Sequence, residues 1–263
     1  MRLHLFPARI IRCGSLLRCV ALLAFGFIGL MPARPVQADP TPAAAPHTIV
    51  VFGDSQAQGV AGALQRMAFR DRSIHIVDKS VPGTALSQKQ QFDWVATIEQ
   101  FLATEHPDAA VMMFGGNDRL ALRPEAGGRA VAFKTDAWKA VYVERLDQIL
   151  KDLAVAHVPV IWLGQPIARE PTYSGDMAYL NSIFAEAVPN GGGTWMPLWD
   201  VVTDETGAYA PYGKGTDGET KRLRLDDGIH FTPAGYDIVA QKLRARIDAI
   251  FAATPATTVA AHS

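Results

Sequence analysis

The chain has 263 residues, with 25 Lys and Arg against 26 Asp and Glu. Five of the arginines (Arg2, Arg9, Arg12, Arg18 and Arg34) fall in the first 38 residues, which hold no acid, so the remainder carries 20 basic and 26 acidic residues, a net charge of −6. That balance argues against a nucleic-acid partner, because neutralising phosphates needs a basic face; Cys13 and Cys19 lie in the same leader, which leaves the rest without a disulfide or a thiol nucleophile.

Residues 1–38 read as an export signal. The arginines form a basic start, Cys19 to Met31 is an apolar run too short to span a bilayer, and Val36-Gln37-Ala38 offers small residues where a signal peptidase cuts. Cleavage before Asp39 is expected, with an uncleaved anchor as the alternative, and the periplasm as destination, with secretion as the alternative. Residues 39–47 are a flexible lead-in, and 252–263 an Ala/Thr tail without apolar periodicity. Between them, about 225 residues after the leader suffice for one core and one domain over 48–251.

Within that domain, β-branched or continuous apolar runs predict strands over 48–52, 73–78, 109–114, 158–163 and 194–197. Helical spacing predicts helices over 56–69, 88–105, 136–156, 172–187 and 233–251. The third is the clearest, with Trp138, Tyr142, Leu146, Ile149 and Leu153 along one face, and the last opens on Thr232-Pro233, a cap followed by proline at the first helical position. Alternating strands and helices imply a mainly parallel sheet covered on both faces, with ligands bound beyond the carboxyl ends of its strands. Thr203 to Thr220, rich in Gly, Asp and Tyr, is expected as a surface loop over that end.

The chemistry-bearing residues fall at that end. The first predicted strand stops at Gly53-Asp54-Ser55, which puts Ser55 on a strand-to-helix turn, its hydroxyl exposed and its N–H unpaired. A serine hydroxyl needs a base, and histidine suits the role. Of seven histidines, His4 leaves with the leader, His47 and His262 sit in or beside the tails, His75 is inside a strand, and His106 and His157 close helices. His230 differs, because in Asp226-Asp227-Gly228-Ile229-His230 it lies beside carboxylates just ahead of a helix. Asp227 could orient its imidazole, as could Asp226. Candidate donors to an oxyanion are the Ser55 N–H, the Gly83 N–H in the turn Ser80-Val81-Pro82-Gly83, and the Asn117 amide in Phe114-Gly115-Gly116-Asn117-Asp118. No His/Cys cluster has metal-ligand spacing, and Asp204 to Asp217 does not match a calcium loop. Lys221-Arg222-Leu223-Arg224 reads as a solvated basic face that could steer an anion.

Gly53-Asp54-Ser55-x-x-x-Gly59, Gly83, Gly115-x-Asn117-Asp118 and Asp227-x-x-His230 together resemble the four sequence blocks of the SGNH (GDSL-type) hydrolases, over about Thr48 to Phe251. The resemblance implies a flavodoxin-like three-layer α/β/α sandwich with a five-stranded, mainly parallel sheet. It makes Ser55 the nucleophile, His230 the base oriented by Asp227, and Ser55, Gly83 and Asn117 the oxyanion hole, with no cofactor or metal. Gln56 departs from the pattern, which usually has leucine there; an effect on packing rather than catalysis is expected. An exported enzyme of this type would act on a small-molecule or glycan ester, foremost an O-acetyl ester of a cell-envelope carbohydrate. Trp195, Trp199, Tyr209, Tyr212 and Phe231 are candidates to stack on its sugars, or else are ordinary core and interface packing. The rival readings are a lysophospholipase or thioesterase, an O-acyltransferase using the same triad, and a non-catalytic glycan-binding or assembly protein.

Overall fold

His47–Gly53 (β1) is buried on alternating sides of one sheet, which sorts its side chains into two apolar layers. Val50 and Phe52 face one layer, Ile49 and Val51 the other. In this computed structural model, which describes residues 45–125 and 127–253, β1 pairs in parallel with Ile74–Asp78 (β2) on one side and Ala109–Met113 (β3) on the other. Val160–Leu163 (β4) and Thr194–Met196 (β5) extend the sheet in parallel, giving the order β2-β1-β3-β4-β5. The expected export leader, most of the lead-in and most of the tail lie outside the described residues.

Ser55–Arg70 (α1) packs Val60 and Leu64 into the layer of Ile49 and Val51. Trp94–Thr104 (α2), Asp136–Val155 (α3) and Pro171–Asn190 (α4) cover the opposite face with Trp94, Trp138, Tyr142 and Phe184, and Pro233–Ala253 (α5) joins α1. Every residue of β3 and β4 is buried, as expected where helices cover both faces of a parallel sheet. The five positions singled out on α3 are all buried, and Thr135 caps that helix by accepting the Trp138 N–H at 3.2 Å. Thr232 opens α5 in the same way, its hydroxyl accepting the Gly235 N–H at 3.3 Å.

Two expectations need correction. The second helix begins at Trp94, not at 88, because Asp93 accepts the Ala96 N–H at 3.1 Å and sets the start, while Gln88 to Gln91 closes as a turn with no apolar face to bury. The segment Thr203 to Thr220 is not a loop over the site. Its second half enters an antiparallel hairpin, Tyr212–Lys214 (β6) against Thr220–Arg222 (β7), whose tip residue Thr216 lies beside Arg66 on α1, Asp71 just after it and Asp237 on α5. None of its residues lines the clefts that open on Ser55.

The strand order determines where a site can form. The chain leaves β1 through α1 on one face, and returns from β2 through α2 on the other to form β3 at the far side of β1. The loops after β1 and β3 therefore part in opposite directions, and the crevice between them is the switch point where ligands bind in open α/β sheets.

Candidate active site

The crevice begins with a close approach of two strand ends. Gly53 has φ +141°, and a Cβ there would lie 2.0 Å from the Met113 carbonyl oxygen, so only glycine lets β1 end this close to β3. The next residue, Asp54, caps α1 with Oδ1 on the Gln56 N–H at 2.9 Å, while Oδ2 accepts the Gly116 N–H at 3.2 Å. One carboxyl thus ties the start of α1 to the loop after β3. It is buried, and desolvation foremost, helped by the negative charge of Asp118, pushes its pKa up to about 7. Ser55 is the first residue of α1, so its N–H has no intrahelical acceptor. Gly59, one turn on, lets the Tyr236 ring of α5 lie where a Cβ would stand, which brings the end of the chain alongside α1.

The other wall is a hairpin-shaped loop between β7 and α5. It is closed by the Leu225 N–H on the His230 oxygen at 2.9 Å and the Thr232 N–H on the Leu223 oxygen at 2.9 Å. Inside it, Asp227 Oδ1 accepts the backbone N–H groups of Ile229 (2.8 Å) and His230 (3.0 Å), and Oδ2 meets His230 Nδ1 at 2.7 Å. Burial opposes ionisation of Asp227, but those N–H groups and the imidazole outweigh it and hold its pKa below the usual value. His230 Nε2 lies 2.7 Å from Ser55 Oγ. Serine, histidine and aspartate are therefore joined in one hydrogen-bonded chain, with the imidazole able to take the hydroxyl proton. Asp226, the alternative partner, points to solvent and pairs with Arg222. The other described histidines lie elsewhere: His47 stacks on Phe251, His75 is in β2, and His106 and His157 follow α2 and α3.

On one side of Ser55 and His230 lies a polar cleft of about 250 Å³, walled by Gln56, Gly116, Asn117, Arg119, Tyr173 and Ile229. Asn117 Nδ2 donates one hydrogen to the Thr84 carbonyl at 3.0 Å and retains a second. Gly83 sits beside it in a turn with φ +78°, closed by the Thr84 N–H on the Val81 oxygen at 3.3 Å. Gly83 is not part of the cleft wall; its loop is tied to the crevice by the Val81 N–H on the Gly53 oxygen at 2.8 Å. On the opposite side is an apolar shelf of about 430 Å³ formed by Gly59, Gly62, Leu225, Phe231, Pro233 and Tyr236.

Several residues of the site escaped the sequence reading. Arg224, expected on a solvated basic face, is fully buried. Its guanidinium lies 4.5 Å from the Phe231 ring and donates to the carbonyls of Ile167 and Ile229, each at 2.8 Å, so it braces the loop that carries Asp227 and His230. Gln56 lines the polar cleft and is held through polar contacts: it donates to Gln165 Oε1 at 2.7 Å, Gln165 donates to the Phe114 carbonyl at 2.7 Å, and Asn181 exchanges two bonds with the Gln165 backbone. The aromatics expected to stack on sugars mostly pack elsewhere. Trp195 lies against Phe184 and Gly164, Trp199 against the core, Tyr209 over Arg224, and Tyr212 on the hairpin; of the five, only Phe231 lines a cleft at Ser55. Tyr173, from the first turn of α4, is the aromatic beside the polar cleft, a position that no local pattern around it marks.

Residues 48–246 match a family model described as "Protein of unknown function (DUF459)". No curated protein sequence matches the chain. Solved structures similar to it include a GDSL-like lipase from Bacteroides thetaiotaomicron, 14% identical with a TM-score of 0.55, over 78% of this chain and 92% of that one. The periplasmic domain of a lipopolysaccharide acetyltransferase from Salmonella ser. Paratyphi A is 16% identical with a TM-score of 0.54, over 77% and 84%. A catalytic mutant of an acetylxylan esterase from Geobacillus stearothermophilus is 14% identical with a TM-score of 0.50, over 76% and 94%. At these identities the likeness is one of fold: the five-stranded parallel sandwich expected from the SGNH resemblance is the fold this chain adopts.

Proposed function

This chain belongs to the DUF459 family, and we propose that it is a periplasmic serine esterase that removes an acyl group, foremost acetyl, from a cell-envelope carbohydrate through an acyl-enzyme on Ser55. The observation that carries the proposal is the unbroken Ser55–His230–Asp227 chain, 2.7 Å at each side-chain link, opening on a cleft that also holds Asn117. His230 Nε2 takes the proton as Oγ attacks the ester carbonyl. The carbonyl oxygen, now negative, is received by the Ser55 N–H and the second Asn117 Nδ2 hydrogen. The imidazolium, stabilised by Asp227, returns its proton to the leaving alcohol. Water then enters, gives a proton to His230 and attacks the acyl-enzyme, which frees the acid and restores Ser55.

The periplasm rests on the leader at 1–38, and the carbohydrate on that location and on the polar cleft. Two second readings have specific support. The shelf of Leu225, Phe231, Pro233 and Tyr236 favours a longer acyl chain, as in a lipid esterase or thioesterase. Likeness in fold to an acetyltransferase domain favours transfer to a sugar hydroxyl in place of water. Hydrolysis of p-nitrophenyl acetate by residues 39–263 tests the core of the proposal. Ser55→Ala and His230→Ala should each lower kcat by at least about 10³-fold, and a wild type no faster than its variants would sink it. A series from acetyl to palmitoyl separates the lipid reading, and acceptor-dependent product separates transfer.

A further inference from the structure

Taking the esterase reading as its premise, we propose that Arg119 is a specificity-determining residue that selects esters whose alcohol portion carries a carboxylate or phosphate. Arg119 follows Asn117 by two residues and lines the same polar cleft as Ser55 and His230. Its guanidinium is held from two directions. The carbon lies 4.5 Å from the Tyr173 ring centroid, and Nη1 donates to Asp176 Oδ2 at 3.0 Å. Tyr173 is itself fixed by its hydroxyl, which donates to the Gly116 carbonyl at 3.0 Å, so the ring under the cation is anchored to the loop that carries Asn117.

Held this way, the guanidinium is in place before a ligand arrives, and little side-chain entropy remains to be lost on binding. Among the described residues, its one carboxylate partner within hydrogen-bonding distance is shared. Asp176 also accepts from Lys134 Nζ at 2.5 Å, so two cations share one carboxylate. Glu170 lies close enough to act on Arg119 through its charge, but its oxygens accept the Thr172 and Tyr173 N–H groups at the start of α4 and make no bond to the guanidinium, and Asp227 holds His230. Of the five N–H hydrogens of Arg119, only one on Nη1 has an acceptor among the described residues. The remaining fork suits the paired oxygens of a carboxylate or phosphate, which form stronger bonds to it than a neutral sugar hydroxyl does. A group bound there would sit on the Asn117 side of the nucleophile, opposite the apolar shelf.

Competition between acetylated galacturonate oligosaccharides and acetylated xylo-oligosaccharides tests this, with 1-acetyl-glycerol 3-phosphate as the phosphate arm. The wild type should favour an anionic ester over the neutral one by kcat/KM, and added salt should erode that preference. Arg119→Ala should reduce the anionic-to-neutral ratio by about 10- to 100-fold, and Arg119→Lys, which keeps the charge but not the fork, by less. Whichever anionic ester loses more identifies the source of the group. A parallel drop on both ester types, with the ratio unmoved, is what a purely structural staple between the loop and α4 would give, and it overturns the inference. So does equal use of neutral and anionic esters by the wild type. Calorimetry of galacturonate oligomers with Ser55→Ala and with Ser55→Ala/Arg119→Ala needs no turnover. Binding that depends on Arg119, where the wild type hydrolyses none of these esters, would count against the hydrolase reading and leave the anion site standing; no dependence, where the wild type does hydrolyse them, would refute the anion site alone.

Discussion

Asp227 and Asp54 approach the serine from opposite walls of one crevice, and the protein treats the two carboxyls in opposite ways. Asp227 belongs to a short, self-contained loop in which it accepts two N–H groups and an imidazole nitrogen from residues no more than three positions away. Its side chain is 42% exposed, and its pKa is held low. Asp54 is 1% exposed, spans from the start of α1 to the loop after β3, and has its pKa raised to about 7. The first is placed to remain charged beside a histidine. The second is a buried tie between two loops, and its burial favours the protonated form beyond a carboxylate's usual range. The difference teaches that a carboxyl beside the proposed nucleophile is identified by what surrounds it, since residue type alone would group these two together.

The sharpest way to break the comparison is to neutralise the exposed member. Asp227→Asn should lower kcat by about 10²- to 10⁴-fold, because an amide can hold the imidazole in the wrong tautomer and cannot stabilise the imidazolium. Its neighbour supplies the control. Asp226 is paired with Arg222 at the surface, so Asp226→Asn should leave kcat unchanged and shift stability by no more than about 0.5 kcal/mol. Equal losses in the two variants would show that the observed partner of His230 is not the working one.

A smaller effect is expected from the brace behind that loop. Arg224→Met keeps most of the volume but leaves the Ile167 and Ile229 carbonyls, now served at 2.8 Å each, without their donor. Unmade buried bonds of this kind should cost about 3 kcal/mol of stability, read by urea unfolding. If His230 depends on the brace for its position, kcat should fall about 10-fold with KM little changed. A stable variant with full activity would show that the loop holds its shape through Asp227 alone.

What could be read from the sequence follows the same division. Much that is local was legible: apolar periodicity marked the five sheet strands, α3 and α5, and Ser55 and His230 stood out because each sits in a short pattern with its own chemical sense, while the choice between Asp227 and Asp226 stayed open and the Asp93 cap that starts α2 was missed. What needed partners far along the chain was not. Arg224 looks like one more basic residue in Lys221-Arg222-Leu223-Arg224, and its burial depends on Phe231, Tyr209 and the carbonyl of Ile167. Gln56 carries no sign that Gln165, more than a hundred residues away, receives its amide. The two readings of the aromatic residues could not be separated for the same reason, and packing holds for most of them because closeness in sequence to the site did not translate into facing it. Tyr173 reaches the cleft only because α4 packs where it does.

The buried member of the pair gives a prediction that is read as a slope with pH, and its sign is clear. Asp54 has its pKa raised from 3.8 to about 7. Between those values the unfolded chain has released the proton while the folded chain retains it, so the folded state binds more protons and loses stability as pH rises. The stability associated with this group is therefore fully present below about pH 4 and is lost progressively up to and through about pH 7. Asp118, raised to about 6 by burial, contributes in the same direction, and Asp227, with its lowered value, in the opposite one at more acidic pH. Asp54→Asn removes one titration and keeps the cap, because the amide oxygen can still accept the Gln56 N–H. Its nitrogen would face the Gly116 N–H, a cost that does not depend on pH and so cannot imitate the slope. Urea unfolding at intervals from pH 4 to pH 8 should give two curves whose separation moves steadily in favour of Asp54→Asn and levels off above about pH 8. Curves that stay parallel would mean that Asp54 is charged in the folded protein throughout, held ionised by its two N–H donors and the nearby His230, and the contrast with Asp227 would then reduce to burial alone.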